Sequence, residues 1–196
     1  MSTENLYIMI PESLKIEGGW EDNDWFYICG LSIAIENVHK RYIVTQTDDK
    51  PFHLEHTFAY ELYYKWKMVL RRRGGNPQRL LLNGELTKHY CKTSCYRFPD
   101  IVLHKHYNNY DYQCIICEIK SSRNRILTKN LIKDIESLYG GIIDLKYKCG
   151  FFIYIGNKTS DMISRLRKII KELGYTDSKK IIFVGLNGID YNYVIL

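Results

Sequence analysis

The chain has 196 residues, a formal net charge of +6, 45% hydrophobic residues and 26% charged residues. These values are typical of a folded protein with one main core, so they exclude a largely disordered chain, and no run approaches the roughly 18 apolar residues of a membrane-spanning helix. The positive charge favours an anionic partner such as nucleic acid without requiring one.

The six cysteines bear on compartment and on metal binding. The first residues lack a basic region followed by a long apolar core, so we expect a cytoplasmic protein with reduced thiols. Cys114 and Cys117 have the spacing of a metal-binding pair, but an offset of three residues in a strand predicts thiols on opposite faces. A zinc site built from His89, Cys91 and Cys95 with nearby histidines is the alternative to free thiols.

Residues 1–50 predict a β-rich N-terminal appendage. The segments Trp25 to Ile35 and Arg41 to Gln46 contain many strand-forming residues and flank a polar turn. The acidic and aromatic stretch from Trp20 to Trp25 is either a surface for a partner protein or a face that packs against the main domain. We therefore place a domain boundary near residue 50 and assign residues 51–196 to the main domain.

The segment from Leu54 to about Arg73 predicts an amphipathic helix. It contains no Gly or Pro, and its apolar residues recur at helical spacing. On a helical wheel, Glu55 lies within the same arc as Leu62 and Trp66, whereas Glu61 lies at the border of that arc. Glu55 is therefore either a first-turn carboxylate favoured by the helix dipole or a carboxylate directed into a site.

Two basic segments are candidate nucleic-acid contacts. Arg71, Arg72 and Arg73 end the predicted helix, where cations also complement the helix dipole, and Arg123 and Arg125 lie in a polar link further along the chain. The alternative for both segments is simple solvation. The 17 tyrosines add aromatic surface for stacking on bases or for a protein partner, although an AT-rich coding sequence would also enrich tyrosine.

Three short apolar runs after this helix predict strands: Leu80 to Leu82, Pro99 to Leu103 and Cys114 to Lys120. A polar stretch between the last two predicts a hairpin. The alternation of side chains places Asp100 on one face of the first hairpin strand and places Glu118 and Lys120 together on one face of the second. Charged side chains are rarely buried without a partner. The presence of these three residues in apolar strands therefore needs a physical explanation.

The rest of the chain alternates helices with strands. The predicted helices cover Thr128 to Tyr139 and Ser160 to Leu173, and the predicted strands cover Cys149 to Ile155, Lys180 to Leu186 and Tyr191 to Leu196. Gly140-Gly141 is expected to end the first of these helices. The order of elements predicts an α/β fold, in which helices cover a sheet.

A shared divalent cation is one reason for the charges on the hairpin. If the two strands pair, Asp100 and Glu118 come together, and their oxygens, with water and backbone oxygens, suit Mg²⁺ or Mn²⁺. Lys120 would then orient or help deprotonate a bound water, or neutralise a phosphate. Such a site is suited to hydrolysis of phosphodiesters. The alternative is an ion pair, in which Asp100 caps a turn and Glu118 pairs with Lys120.

Phe98-Pro99-Asp100, followed after the hairpin by Glu118-Ile119-Lys120, resembles the motif of the PD-(D/E)XK nuclease superfamily. The resemblance covers roughly Leu54 to Ile155. It implies a restriction-endonuclease-like αβββαβ core, with a mixed central sheet flanked by helices. Residues 1–50 lie outside the resemblance.

The resemblance also implies roles for individual residues. Asp100 and Glu118 would be metal ligands and Lys120 the catalytic lysine. Glu55 resembles the helix glutamate that many members add to the site, and Glu85 resembles an acidic residue that some members carry on the first core strand. Asp134, on the following helix, has no counterpart in this pattern.

We therefore expect a Mg²⁺- or Mn²⁺-dependent DNA endonuclease or exonuclease of the restriction, repair or mobile-element defence type. The alternative is a catalytically weak module of the same fold that binds nucleic acid or a partner protein, the latter through residues 1–50. Cleavage of RNA is a third hypothesis, since tyrosines stack on unpaired bases. A homodimer would make double-strand cleavage natural. Sequence specificity stays open.

Overall fold

The computed structural model describes residues 10–39, 42–43, 54–72, 79–84, 99–105, 112–121, 126–175, 180–187 and 190–196. In chain order the elements are α1 (Ser13–Gly18), α2 (Asp22–Glu36), α3 (Leu54–Arg72), β1 (Leu81–Gly84), β2 (Ile101–His104), β3 (Gln113–Ser121), α4 (Thr128–Ile143), β4 (Tyr147–Ile155), α5 (Thr159–Glu172), β5 (Ile181–Leu186) and β6 (Tyr191–Ile195). The fold is mixed α/β, with helices flanking one sheet.

The sheet has six strands in the order β1-β2-β3-β4-β5-β6. The pairs β1/β2, β2/β3 and β5/β6 are antiparallel, while β3/β4 and β4/β5 are parallel. Helices α4 and α5 make the crossover connections that parallel neighbours require. Strands β3 and β4, of nine residues each, occupy the centre. The predicted mixed sheet flanked by helices is confirmed.

Side chains from the two faces of the sheet enter two separate cores. On one side, Trp66 of α3 packs with Ile119 of β3 and with residues of α2. On the other side, Leu138 of α4, Leu166 of α5 and Ile116 of β3 lie in the second core. The buried ends of the parallel strands are therefore covered on both faces, as expected for parallel pairs.

The predicted strand from Trp25 to Ile35 is wrong, because these residues belong to helix α2. A continuous apolar run fits a buried helix as well as a buried strand, and periodicity does not separate the two. Every residue from Tyr27 to Ile35 is buried, since α2 packs against both α3 and β3. The β-rich character of residues 1–50 is thus wrong for their described part. The domain boundary near residue 50 stays a prediction.

The predicted strand from Arg41 to Gln46 lies mostly outside the described residues. Tyr42 and Ile43, which are described, form a turn, in which the Tyr42 N–H group donates a hydrogen bond to the His39 carbonyl at 2.9 Å. Within the described part of residues 1–50, no strand is present. A surface for a partner protein in this segment stays a prediction.

Gly140 and Gly141 do not end α4 as predicted, because the helix continues to Ile143. Gly141 is buried against the sheet, and a Cβ atom built there would lie 2.6 Å from Ile116 Cδ1. The missing side chain lets α4 approach β3 closely. The pair of glycines therefore reports helix-to-sheet contact rather than a helix end.

The remaining predicted helices and strands are present, with ends that differ by a few residues. Helix α3 begins at Leu54, as predicted, and α5 ends just before Gly174, which has a left-handed φ of 70°. Such a conformation favours glycine. Among the described helices, none combines the length and apolar character that a membrane crossing requires.

Helix α2 should contribute strongly to stability, because it lies in the main core. We expect Leu31→Ala, at a site with 0% exposure, to lower the free energy of unfolding by about 2–5 kcal/mol. The matched control is Ile16→Ala at a site with 82% exposure, which should change stability by less than about 0.5 kcal/mol. Urea unfolding measures both. Equal effects of the two substitutions would contradict the buried placement of α2.

Candidate functional site

The candidate site forms where β3 continues beyond its neighbour β2. The pairing between these strands ends at Ile101 opposite Cys117. On the other side, β3 stays paired with β4 as far as Ser121 opposite Ile155. Past Cys117, the edge of β3 that faced β2 therefore needs other hydrogen-bond partners.

Two carboxylates take the place of the missing strand. The Ile119 N–H group donates to Asp100 Oδ2 at 2.6 Å, and the Ser121 N–H group donates to Glu55 Oε1 at 2.7 Å. Asp100 directly precedes β2, and Glu55 lies in the first turn of α3. Glu55 thus points toward the sheet, in agreement with its place on the helical wheel.

Helix α4 supplies partners for the next two charged residues. Glu118 Oε1 accepts a hydrogen bond from Ser137 Oγ at 2.7 Å. Lys120 Nζ lies 3.5 Å from Asp134 Oδ1, so Lys120 forms its ion pair with Asp134 rather than with Glu118 as the ion-pair alternative supposed. Charged groups from the residue before β2 and from β3, α3 and α4 therefore meet around the last residues of one strand.

Sequence reasoning missed Asp134 and Ser137 as members of this site. The signal was their spacing: with Gly141 they lie at i, i+3 and i+7 along one border of the apolar face of α4. Polar or small residues on a border that faces the sheet indicate contact with something other than the apolar core. Asp134 has no counterpart in the nuclease motif, so the motif does not indicate it.

Burial raises the pKa of three carboxyl groups in the site. Glu118 is 5% exposed, and burial raises the pKa of its carboxyl well above the ordinary value, with Asp100 and Asp134 adding to the effect. Burial also raises the pKa of Asp100, although Lys120 and the Ile119 N–H group oppose this. Burial raises the pKa of Asp134 to about 6, again against Lys120. Negative charge is therefore unfavourable here unless a cation is near.

Lys120 lies among these acidic groups and remains partly accessible. Burial alone would lower the pKa of its ammonium group, but the carboxylates of Asp134, Glu118 and Asp100 together raise that pKa above its ordinary value. The side chain is 20% exposed. A positive charge is therefore held at the end of β3, where a ligand can reach it.

The donor atoms of the site suit a hard cation that keeps much of its water. Within the described residues, no three side chains of His, Cys, Asp or Glu are placed to hold a metal ion together. Asp134 Oδ2 is buried without a hydrogen-bond partner, so the acidic set is not internally satisfied. Since Mg²⁺ usually takes one or two protein carboxylates and several waters, the residues are compatible with Mg²⁺ held by Asp100 and Glu118.

Of the other predicted ligands and contacts, the structure describes Arg71 and Arg72. Outside the described residues lie Arg73, Glu85, His89, Cys91, Cys95, Arg123 and Arg125, whose roles stay predictions. Arg71 and Arg72 are exposed in the last turn of the 19-residue helix α3. Glu55 lies in the first turn, so these arginines are roughly 24 Å along the helix axis from the site.

The predicted placement of Cys114 and Cys117 on opposite faces is wrong, because both lie in the core that faces α2 and α3. The pairing of β2 with β3 shifts register between Leu103 and His104. Cys114 is the additional residue at this shift, so the regular alternation of faces is interrupted. Both thiols are buried and free.

Comparisons of the chain with protein-family models, with curated proteins and with solved structures gave no match. The resemblance to PD-(D/E)XK nucleases therefore stays a prediction drawn from the residues. The contacts at the end of β3 are the observations from which a function can be argued.

The raised pKa of Asp134 predicts a specific pH dependence of stability. An aspartate in the unfolded chain loses its proton near pH 4, whereas Asp134 in the folded protein loses it at about pH 6. Between these values ionisation destabilises the fold. We therefore compare the free energies of unfolding of Asp134→Asn and the wild type. We expect the variant's value, relative to that of the wild type, to increase by on the order of 2 kcal/mol as the pH rises from about 4 to about 7.

Urea unfolding over this pH range measures the effect. Asp161→Asn, on the exposed surface of α5, removes one carboxylate from solvent and is the matched control. A stability difference for Asp134→Asn that is constant or falls with increasing pH would mean that the ion pair with Lys120 outweighs the burial of the carboxyl.

Proposed function

We propose that this protein is a nuclease that hydrolyses phosphodiester bonds of DNA with a bound divalent cation, Mg²⁺ or Mn²⁺. One observation carries the proposal. Charged side chains from four different parts of the chain meet at the end of one buried strand: Glu55, Asp100, Glu118, Lys120 and Asp134. Carboxylates with a lysine are the groups that phosphodiester hydrolysis with a hard cation needs.

The order of elements supports the same proposal. Helix α3, strands β1 to β3, helix α4 and strand β4 follow one another as in the αβββαβ core of the superfamily that the sequence resembles. Pro99-Asp100 directly precedes β2, and Glu118-Ile119-Lys120 lies on its antiparallel neighbour β3. We therefore propose a restriction-endonuclease-like core for Leu54 to Ile155.

Each residue has a role that follows from its contacts. Asp100 and Glu118 hold the cation, because the Ile119 N–H group and Ser137 Oγ each fix one oxygen of these carboxylates. When bound, Mg²⁺ polarises a phosphoryl oxygen and lowers the pKa of water. Lys120 places a positive charge where it stabilises negative charge that develops on the phosphate. Glu55 fixes the end of β3 and adds acidic character.

A purely structural cluster accounts less well for these contacts. Backbone N–H groups at a strand end need only a neutral acceptor, which Asn or Ser would provide. Burial instead raises the pKa of Asp100, Glu118 and Asp134. Their ionised forms therefore destabilise the protein when no cation or substrate is bound. Perturbed acidic groups gathered in one place are typical of functional sites. A cation or substrate then compensates for their charge.

The alternative function is a catalytically weak module that binds nucleic acid or a partner protein. The observation in its favour is that, in the part of the chain that is described, no three His, Cys, Asp or Glu side chains are placed to hold a metal ion together. Calorimetric titration with Mg²⁺ and Mn²⁺ separates the two. The nuclease takes up the cation, and Glu118→Gln weakens that uptake. The binding module takes up none and binds DNA equally well with Glu118→Gln.

Neutral substitutions separate catalysis from folding. Asp100→Asn and Glu118→Gln keep a side-chain oxygen for the Ile119 N–H group and Ser137 but remove the charge. We expect each to lower DNA cleavage at least 100-fold, an order-of-magnitude value, while thermal stability at neutral pH is kept or raised. Cleavage of supercoiled and linear DNA with Mg²⁺ or Mn²⁺ and thermal unfolding measure the two effects.

The matched control is Lys168→Gln, since the Lys168 side chain on α5 is 77% exposed and lies outside the site. This variant should cleave like the wild type. Cleavage that survives both Glu118→Gln and Lys120→Met would place the reaction elsewhere. A loss of stability with Asp100→Asn and unchanged cleavage would show a structural role for that carboxylate.

A further inference from the structure

One face of α3 carries exposed aromatic and basic side chains in a stripe, which we call the α3 track: His56, Tyr60, Tyr64, Lys67 and Arg71. Spacings of three and four residues place them within an arc of about 80°. Tyr60 is 69% exposed and Tyr64 is 56% exposed. We propose that the α3 track binds a single-stranded segment of nucleic acid and leads it to the end of β3.

The opposite face of α3 already supplies the packing. Phe58, Leu62 and Trp66 are each 0% exposed and lie in the core. Among the described residues, the most exposed large hydrophobic side chains are Ile16, Tyr60, Tyr64 and Leu127, so both aromatic ones lie on the track. Exposed aromatic rings in a row are not needed for this fold, and they form a surface for stacking.

The track begins at the same end of α3 as the candidate site. Glu55, which accepts the hydrogen bond from the Ser121 N–H group at 2.7 Å, immediately precedes His56. At 1.5 Å per residue, Tyr60, Tyr64 and Arg71 follow Glu55 at about 8, 14 and 24 Å along the helix axis. A strand that lies along the track therefore has one end level with the proposed site of hydrolysis along the helix axis. Because Glu55 points toward the sheet and the track faces away from it, the strand must cross the first turn of α3 to reach that site. In this respect the inference rests on the proposed function.

The charge of the track suits a polyanion. Its members include Lys67 and Arg71 and no acidic residue. Lys67 Nζ lies 5.8 Å from the centroid of the ring of Tyr63, which is not a track residue. Glu61, the other acidic residue of α3, lies off the track, where it pairs with Lys65 at 3.3 Å. Rings for bases beside cations for phosphates are typical of single-strand binding.

The geometry favours unpaired bases over a duplex. Tyr60 and Tyr64 are about 6 Å apart along the helix axis, whereas bases in one strand of a duplex rise by about 3.4 Å. Bases within a duplex are also stacked on one another and paired, so rings on a convex helix surface reach only its backbone. Unpaired bases can stack on both rings. The two tyrosines should therefore distinguish single strands from duplex.

A cavity of about 220 Å³ opens beside Tyr64, between α2 and α3. Ile33, Met68 and Val69 give it an apolar lining. Arg72 adds a cation, whereas Lys65, also in the lining, pairs with Glu61. It extends the apolar surface of the track on the side toward α2. An unstacked base has an apolar surface there, with positive charge close by for its phosphate.

Binding can be measured without cleavage by using the Glu118→Gln background with a chelator. The probes are labelled oligo-dT and oligo-U of about 12 nucleotides and a DNA duplex of the same length, followed by fluorescence anisotropy. We expect Tyr60→Ala/Tyr64→Ala to weaken single-strand binding at least about tenfold and to leave duplex binding unchanged. Tyr60→Phe/Tyr64→Phe keeps both rings and should bind like the parent.

A second pair of variants tests the cations. Lys67→Gln should weaken single-strand binding and reduce its salt dependence by about one counterion, whereas Lys168→Gln on α5 should do neither. Because these side chains are exposed, we expect every variant to fold, and circular dichroism checks this. Preference for oligo-dT or for oligo-U supports the track in either case and identifies the kind of single strand.

The inference is overturned if the double alanine variant binds single strands as tightly as its parent, or if duplex and single-strand binding fall together. Its failure is distinct from failure of the proposed function. Tyrosine-dependent binding by a protein that cleaves nothing supports the track and rejects the nuclease. Cleavage that depends on Glu118, with binding and rate unchanged by substitution of both tyrosines, supports the nuclease and rejects the track.

Discussion

The site depends on a mismatch in length between two neighbouring strands. Because β3 continues past the start of β2, the N–H groups of Ile119 and Ser121 need acceptors that the sheet does not supply. Asp100 and Glu55 are those acceptors. The backbone of one strand thereby fixes a carboxylate that precedes β2 and another from the first turn of α3. The hydrogen bonds that satisfy these N–H groups therefore also bring the two carboxylates together.

The second half of the site depends on the side chains of that same strand. Glu118 and Lys120 project toward α4, where Ser137 and Asp134 receive them. Burial makes the carboxylates unfavourable as anions, and one lysine compensates for only part of the charge. Functional sites commonly trade stability for such pre-arranged charge. A cation or a phosphate-bearing ligand would interact with groups that are already in position.

Much of this arrangement could be predicted from the sequence, because strong local patterns determine it. The apolar strands, the amphipathic α3 and the inward direction of Glu55 followed from spacing alone. Helix α2 could not, since a run that is apolar on every side has no periodicity to read. Asp134 and Ser137 were missed because their contacts with Lys120 and Glu118 depend on how closely α4 approaches β3. The register shift at Cys114 likewise depends on pairing that one strand does not reveal.

That register shift also has a consequence for how the protein can change in evolution. Between the shift and the site, Ile115 and Cys117 stay opposite Leu103 and Ile101, so core packing fixes which face Glu118 takes. An extra residue on the far side of the shift is already accommodated there. A change in the length of the connection between β2 and β3 would therefore leave the acidic end of β3 in the same orientation.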